Sequence, residues 1–176
     1  EAGYCLYGPR ITLVKTSNDV VEQYSLDSHN NFKKESNLLF TNNQSKIYSI
    51  NESNRFSSEL SDLLTFYKSN NYNQRWIGSM VSDCHQILRK GGLFLYPVSE
   101  KYPNGKLRLF YEVLPFCYIF KIAGGIGLDN NYNNILNNYK KYKLDNVHKT
   151  IPVILCSLSE EEKLKNFLEI RENIFC

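Results

Sequence analysis

The sequence predicts an α/β (α+β) fold, built as a layered sandwich of sheets and helices. Short runs rich in β-branched and aromatic residues alternate along the chain with amphipathic stretches of helical period, and no internal repeat interrupts this order. Hydrophobic residues make up 42% of the 176 residues and charged residues 22%, a composition typical of an ordinary globular protein with one sizeable core.

The N-terminal quarter of the chain predicts strands joined by turns. Ile11–Lys15 and Gln23–Asp27 have the pattern of strands on either side of a turn at residues 17–19. The polar, asparagine-rich stretch His29–Ser45 predicts a loop or a strand connection, and Lys46–Ile50 predicts another short strand.

Two amphipathic helices are predicted next. The first begins at Ser57 and ends in the polar residues 69–71, and the second begins at Gly78-Ser79, with Ser79 as a candidate N-cap, and ends at Gly91-Gly92. Their apolar faces repeat every three or four residues and consist of Leu60, Leu63, Leu64 and Tyr67 in the first and Met80, Cys84, Ile87 and Leu88 in the second.

The remaining elements are predicted from apolar runs and capping signals. Leu93–Pro97 predicts a buried strand, and Lys106–Glu112 predicts a strand that leads to Pro115 in the first turn of a helix, which ends at Gly124-Gly125. Three further segments complete the chain: a surface excursion with seven asparagines (Leu128–Asn146), an apolar strand (Ile151–Cys156), and a last helix with a capping box (Ser159, Glu162) and a buried face (Leu164, Phe167, Leu168).

Composition and motifs exclude several classes of protein. The formal net charge is +3, and no run of Lys or Arg reaches the density of a nucleic-acid surface. The five cysteines are widely spread without a CxxC pair, which argues against a disulfide framework and a structural zinc site. No secretory signal is visible, and the longest apolar run, Val113–Phe120, is too short to span a membrane. We therefore expect a soluble, cytoplasmic protein.

The segment Lys106–Glu112 carries the first candidate for a binding site. As a strand, it would place Lys106, Arg108 and Glu112 on one face, spanning roughly 20 Å. Two interpretations remain open: a solvated sheet edge, or an elongated ligand with an anionic end near the lysine and a metal or cationic end near the glutamate.

Two further segments favour binding of an anion. The Asn104-Gly105 pair predicts a tight turn that brings Tyr96 close to Lys106, where a phenol and an ammonium can both donate to phosphate oxygens. Gly78, Ser79 and Met80 stand at a helix start, whose free N–H groups can bind a sugar or phosphate, although the residues alone favour an ordinary N-cap there. His29, His85 and His148 are far apart and predict no site. The residues alone thus indicate an α/β domain with a possible phosphate-binding cleft.

Several longer segments carry a family resemblance: Arg75–His85, Gly91–Pro97, Pro103–Glu112 and Ala123–Gly125, flanked by Ala2–Gly8, Lys46–Glu52 and Pro152–Leu155. In sequence, these segments closely resemble the C-terminal half of the fructose-1,6-bisphosphatases of class 1. The resemblance includes order and spacing over residues 75–125 and extends to nearly the whole chain, apart from the asparagine-rich tracts.

The resemblance implies a substrate, a metal and roles for single residues. It implies Mg²⁺-dependent (or Mn²⁺-dependent) hydrolysis of the 1-phosphate of fructose 1,6-bisphosphate, by a homodimer or homotetramer, in gluconeogenesis. Glu112 would be a catalytic metal ligand. The implied substrate-binding positions are Asn51, Arg75 (reaching in from a neighbouring subunit), Tyr96 and Lys106 at the 6-phosphate, and Ser79 and Met80 at the sugar hydroxyls. Trp76 and Gly78 are the two other positions expected to bind substrate.

The chain also departs from the family pattern. Trp76 stands where the family generally has a phosphate-binding tyrosine, and Asn54 replaces another. The family's Asp-Pro-x-Asp-Gly motif and paired acidic ligands are absent, and there is no initiator methionine, so we expect a piece of a longer chain. Residues 1–45 would be a remnant of an N-terminal metal and AMP domain, and residues 46–176 the sugar-phosphate-binding domain. The alternative is a catalytically inactive sugar-phosphate-binding or regulatory homologue.

Overall fold

A computed structural model describes residues 1–41, 45–52, 55–142 and 146–175 of the chain, with side chains up to residue 169. Its regular elements, in chain order, are β1 (Gly3–Leu6), β2 (Thr12–Ser17), β3 (Val20–Leu26), β4 (Phe32–Asn37), β5 (Ile47–Ser49), α1 (Ser58–Ser69), β6 (Asn73–Gln74), α2 (Met80–Lys90), β7 (Leu93–Tyr96), β8 (Leu107–Arg108), a π-helical turn (Leu109–Val113), α3 (Leu114–Ile122), β9 (Gly125–Leu128), α4 (Ile135–Asn138), a 3₁₀ turn (Tyr139–Lys141), β10 (Thr150–Ile151), β11 (Val153–Ser157) and α5 (Leu158–Phe175).

The first four strands form an antiparallel sheet in the order β1-β2-β3-β4. The predicted turn between β2 and β3 is confirmed, since Asn18 and Asp19 adopt left-handed backbone angles there. The strand β4 corrects the expectation of a loop or connection over His29–Ser45. All six of its residues are exposed, so the segment lacks the apolar alternation of a half-buried strand and is ordered by its pairing with β3.

A second, mixed sheet has the strand order β6-β5-β7-β11-β9 and is buried on both faces. In β7, Phe94 points into one hydrophobic cluster, whereas Leu93 and Leu95 point into the other. The period of two along a strand therefore divides the core between the two faces of this sheet.

Helices cover both faces of the second sheet, which gives four layers in the order sheet, helix, sheet, helix. The helices α2 and α3 lie between the two sheets, where Cys84 and Phe120 share a cluster with Val14 of β2. On the outer face, α1 and α5 contribute Leu63 and Leu164 to the other cluster. The predicted layered α/β class is confirmed. The proposed division at residue 45 stays a prediction.

The first two helices form as the sequence predicts. The Ser57 hydroxyl accepts a hydrogen bond from the Leu60 N–H at 3.3 Å and caps α1. Ser79 takes the N-cap position of α2, but its hydroxyl makes no capping bond to a described residue. The helix α2 also contacts the first sheet, because the Tyr4 hydroxyl and His85 Nδ1 lie 2.8 Å apart. Burial lowers the pKa of His85 to about 4, so the imidazole is neutral at physiological pH.

The predicted strand Lys106–Glu112 is wrong beyond Arg108. Strand β8 ends at Arg108, and the chain turns through a π-helix directly into α3. Tyr111, which an extended strand would place on the same apolar face as Leu107 and Leu109, is 50% exposed. Leu109, Val113 and Cys117 are fully buried at intervals of four residues. The helical spacing of these three side chains, which continues into α3, overrides the period of two.

The C-terminal segments bring smaller corrections. A capping box at Ser159 and Glu162 is wrong, because α5 begins at Leu158 and the Ser157 hydroxyl accepts from the Glu160 N–H at 3.4 Å. The strand expected at Ile151–Cys156 divides at Pro152, which has no N–H to donate, into β10 and β11. Strand β9 was not expected, and the excursion Leu128–Asn146 contains the short helix α4.

The described residues bear on two expectations from the sequence, namely those about disulfide bonds and membrane-spanning helices. The four cysteines among the described residues, Cys5, Cys84, Cys117 and Cys156, are free thiols. No helix in the described ranges is both long and apolar enough to cross a bilayer.

Candidate active site

A cavity of about 450 Å³ opens beyond the C-terminal ends of β5 and β7, beside the start of α2 and the π-helical turn. Loops, strands, the helix α2 and the π-helical turn all contribute residues to it, so its wall is assembled from segments that are far apart in sequence. Its lining residues are Asn51, Trp76, Gly78, Met80, Asp83, Phe94, Tyr96, Lys106, Leu107, Arg108 and Glu112.

A lysine between two phenols forms one side of the cavity. The Lys106 ammonium lies 5.7 Å from the centre of the Tyr96 ring and 5.3 Å from that of Tyr102. A hydrogen bond with the Tyr96 hydroxyl raises the pKa of Lys106 above its ordinary value, so the side chain is a permanent cation. The predicted approach of Tyr96 to Lys106 is confirmed. Tyr102 was not singled out from the sequence, since its approach depends on the chain folding back between Ser99 and Tyr102.

The turn before Lys106 fixes where this cation lies. Gly105 has φ +78°, and a Cβ there would lie 2.3 Å from the carbonyl carbon of Ile151 and from the nitrogen of Pro152. Only glycine fits both the backbone angle and the space.

Glu112 and Arg108 form another part of the cavity wall. The Arg108 N–H donates to Glu112 Oε2 at 2.6 Å, and the Arg108 guanidinium lies 3.7 Å from the same oxygen. The π-helical turn brings Glu112 back over the start of its own turn, so Lys106 and Glu112 line one cavity instead of the ends of an extended strand. Single π-helical turns occur frequently at functional sites.

Asp83, on α2, is the second carboxylate in the cavity lining, and it was not predicted from the sequence as a site residue. Its side chain is 1% exposed, and its carboxylate accepts hydrogen bonds from the Ser49 hydroxyl and from the N–H groups of Ile77 and Gly78. Its position three residues after Met80 and one before Cys84 places it on the apolar face of α2. A carboxylate on the buried face of a helix was the signal available in the sequence.

Most of the residues expected to bind substrate meet at this cavity, and two do not. Arg75 is exposed, outside the lining, and its guanidinium donates to the Gln74 carbonyl at 3.2 Å. Ser79 is also exposed and outside the lining. Asn54 lies outside the described residues. The expected residues that do line the cavity are Asn51, Trp76, Gly78, Met80, Tyr96, Lys106 and Glu112.

The donors present do not make a complete metal centre. Mg²⁺ prefers six oxygen ligands, and of the cavity carboxylates Asp83 is committed to three hydrogen-bond donors, which leaves Glu112. No group of three His, Cys, Asp or Glu residues in the described ranges could hold a metal ion. Glu112 can thus contribute one ligand, not a site.

Comparison with known proteins places the chain in a family. A family model for the "Fructose-1-6-bisphosphatase, C-terminal domain" matches residues 41–169. The chain belongs to the fructose-1,6-bisphosphatase family. The resemblance based on segments such as Arg75–His85 and Pro103–Glu112 is therefore confirmed.

Individual family members are similar to this chain in sequence and in structure. The class 1 fructose-1,6-bisphosphatase of Sulfurihydrogenibium sp. is 38% identical over 96% of this chain and 52% of its own length, and that of Cytophaga hutchinsonii is 36% identical over 96% and 50%. Crystal structures of Leishmania major fructose-1,6-bisphosphatase superpose with TM-scores of 0.82 (holo form; 33% identity, 91% of this chain and 50% of that one) and 0.84 (T-state; 32%, 95% and 52%). The chain spans about half the length of these relatives.

Proposed function

We propose that the complete protein hydrolyses the 1-phosphate of fructose 1,6-bisphosphate to fructose 6-phosphate and phosphate, and that this chain supplies the sugar-phosphate-binding half. The observation that carries the proposal is the shared cavity, in which a permanent cation, Lys106, and a carboxylate, Glu112, face one volume large enough for a small sugar phosphate. The curated relatives named fructose-1,6-bisphosphatase support the same reaction.

The Lys106 side of the cavity suits the phosphate that stays on the sugar. The ammonium and the Tyr96 hydroxyl both donate hydrogen bonds, and charge-assisted bonds to phosphate oxygens are the strong ones. Asn51 adds an amide beyond the end of β5, the parallel neighbour of β7. Arg75 is exposed and does not line this cavity, so we propose that it binds the same phosphate in a neighbouring subunit of a dimer or tetramer.

Glu112 is proposed as one ligand of a catalytic Mg²⁺ or Mn²⁺. Such a metal, when bound, stabilises the charge that develops on the phosphate oxygens and the leaving oxygen. Both contacts of Glu112 with Arg108 use Oε2, so we propose Oε1 as the oxygen that would bind the metal. The remaining ligands are expected outside this chain. A role in gluconeogenesis and a cytoplasmic location complete the proposal.

Trp76 favours a second candidate, a sugar-phosphate-binding homologue without catalysis. Its indole is 47% exposed at the cavity wall and has one N–H to donate, in a place where the family resemblance leads one to expect a phenol. The loss of a phosphate-binding phenol is a departure from the family pattern, and this departure motivates the second candidate.

The test is phosphate release from fructose 1,6-bisphosphate with and without Mg²⁺. We expect release by the complete protein only when the metal is present, and none by the isolated 176-residue chain, because one carboxylate cannot hold a metal cluster. Binding of fructose 6-phosphate without any hydrolysis by the complete protein would favour the second candidate. Hydrolysis by the isolated chain would overturn the assignment of the missing ligands.

A further inference from the structure

Asp83 is a buried charge that the proposed reaction does not use. Its side chain is 1% exposed, and an ionised carboxylate in the interior is costly unless donors compensate for the lost water. Three donors do so: the Ser49 hydroxyl and the Ile77 N–H, at 2.7 and 2.9 Å from Oδ1, and the Gly78 N–H, at 3.1 Å from Oδ2. The hydrogen bonds to this buried carboxylate therefore fix the positions of the three donors.

The three donors belong to two separate pieces of the cavity wall. Ser49 ends β5, two residues before the cavity residue Asn51, and is itself fully buried. Ile77 and Gly78 follow Trp76, which lines another part of the cavity. One carboxylate on α2 therefore ties both wall segments to the same helix.

The conformation of the second segment depends on this anchor. Gly78 has φ +88°, a left-handed backbone angle that favours glycine, and a Cβ built on it would meet the Trp76 indole in ordinary van der Waals contact, at 3.6 Å. The indole therefore lies beside the turn whose N–H groups donate to Asp83. A different conformation of the turn would shift the indole.

We infer that Asp83 is a positioning residue of the substrate cavity, which acts through the 76–78 turn and Ser49 to hold Trp76 and Asn51 against the sugar phosphate. This inference rests on the proposed function. It assigns to Asp83 no contact with substrate and no step in the reaction.

Asp83→Asn in the complete protein tests the inference. The amide keeps the shape, but its NH₂ group cannot accept a backbone N–H, so at least one anchor of the turn is lost. We expect the dissociation constant for fructose 6-phosphate, measured by calorimetry, to rise roughly tenfold or more. KM for fructose 1,6-bisphosphate should rise by a larger factor than kcat falls. The fluorescence of Trp76, isolated as the difference from a Trp76→Phe background, should shift as the indole leaves the wall.

Two further variants keep the result interpretable. Ser49→Ala removes one donor and leaves the carboxylate in place. It should change the Trp76 fluorescence and the dissociation constant in the same direction as Asp83→Asn, but by a smaller factor. If Asp83→Asn does not fold, Ser49→Ala decides the question. Asp19→Asn makes the same chemical change at an exposed turn. Asp19 has a left-handed backbone angle, which asparagine tolerates, so this variant should leave both readouts unchanged.

A purely structural role has a different signature from a positioning role. If Asp83→Asn lowers the melting temperature while Trp76 fluorescence and fructose 6-phosphate binding stay as in the unmutated protein, the inference is overturned. If the unmutated protein binds no fructose 6-phosphate, the proposed function fails instead, and the Trp76 fluorescence still decides whether Asp83 holds the turn.

Discussion

The carboxylate of Glu112 reaches back to the Arg108 N–H at 2.6 Å and lies 3.7 Å from the Arg108 guanidinium. A glutamine at this position keeps the side-chain length and an oxygen that can accept the same N–H. The fold of the π-helical turn should therefore survive the change, whereas the negative charge offered to a metal is lost.

Glu112→Gln in the complete protein should lower kcat roughly 100-fold or more, with KM for fructose 1,6-bisphosphate changed far less. The reason is that the carboxylate is assigned to the metal and the developing charge, not to ground-state binding of the other phosphate. Steady-state kinetics at saturating Mg²⁺ measures both constants. Glu162→Gln on the exposed face of α5 is the matched control. A raised KM with unchanged kcat would show that Glu112 is assigned wrongly.

Single residues differ in how far the sequence predicts them. The Asn104-Gly105 turn is a local signal, so the approach of Tyr96 to Lys106 could be predicted from it. The role of Asp83 could not, because its partners are a hydroxyl and two backbone N–H groups that only the fold brings together. Tyr102 was missed for the same reason.

At the scale of the elements, the turn at Gly105 connects a cavity residue, Lys106, with the pairing of strands β8 and β10. Strand β8, which follows the turn, pairs with β10, and the Gly105 backbone lies against the junction of Ile151 and Pro152. The position of Lys106 therefore depends on a close packing of two backbones that leaves no room for a side chain.

Gly105→Ala should destabilise the fold by about 1–3 kcal/mol, because φ +78° strains a residue with a Cβ and the neighbouring backbone must move. It should also weaken fructose 6-phosphate binding, since Lys106 follows directly. Urea unfolding and calorimetry measure the two effects. Gly8→Ala is the control: a Cβ there meets only the Arg10 carbonyl, at 3.9 Å. Equal stability of the two variants would contradict the packing described for Gly105.

Elements with strong periodicity and capping residues are the ones that the sequence predicts well. Helices α1 and α2 follow from apolar faces and flanking Ser and Gly residues. The segment Lys106–Glu112 was misread because two patterns overlap in it: a period of two from Lys106 to Arg108, and a period of four through Leu109, Val113 and Cys117. Strand β4 is set by its neighbour β3, which no local pattern reveals.

At the level of the whole molecule, the four-layer arrangement explains why the cavity lies where it does. The second sheet is covered on both faces, so polar side chains can gather only beyond its strand ends, where Asn51 and Tyr96 lie. The layered class was predictable from alternating strands and helices. The order of the strands was not, because it depends on contacts distant in sequence, such as the pairing of β11 with β7 and β9.

The proposed reaction needs metal ligands in addition to those that this chain supplies. The chain spans about half the length of its relatives, and Glu112 is the cavity carboxylate left for a metal. The proposed binding of the retained phosphate, in contrast, rests on described residues of this chain. Fructose 6-phosphate, the proposed product, carries that phosphate and tests the site without any catalysis.

Calorimetric titration of the complete protein with fructose 6-phosphate therefore tests the central claim most directly, that the Lys106 cavity binds the sugar phosphate. We predict that Lys106→Ala raises the dissociation constant about ten- to a hundredfold, through loss of a charge-assisted contact worth roughly 1.5–3 kcal/mol. Tyr96→Phe should raise it less, and Lys140→Ala, an exposed lysine outside the cavity lining, should leave it unchanged. If Lys106→Ala and Tyr96→Phe bind fructose 6-phosphate as tightly as the unmutated protein, this cavity is not the substrate site.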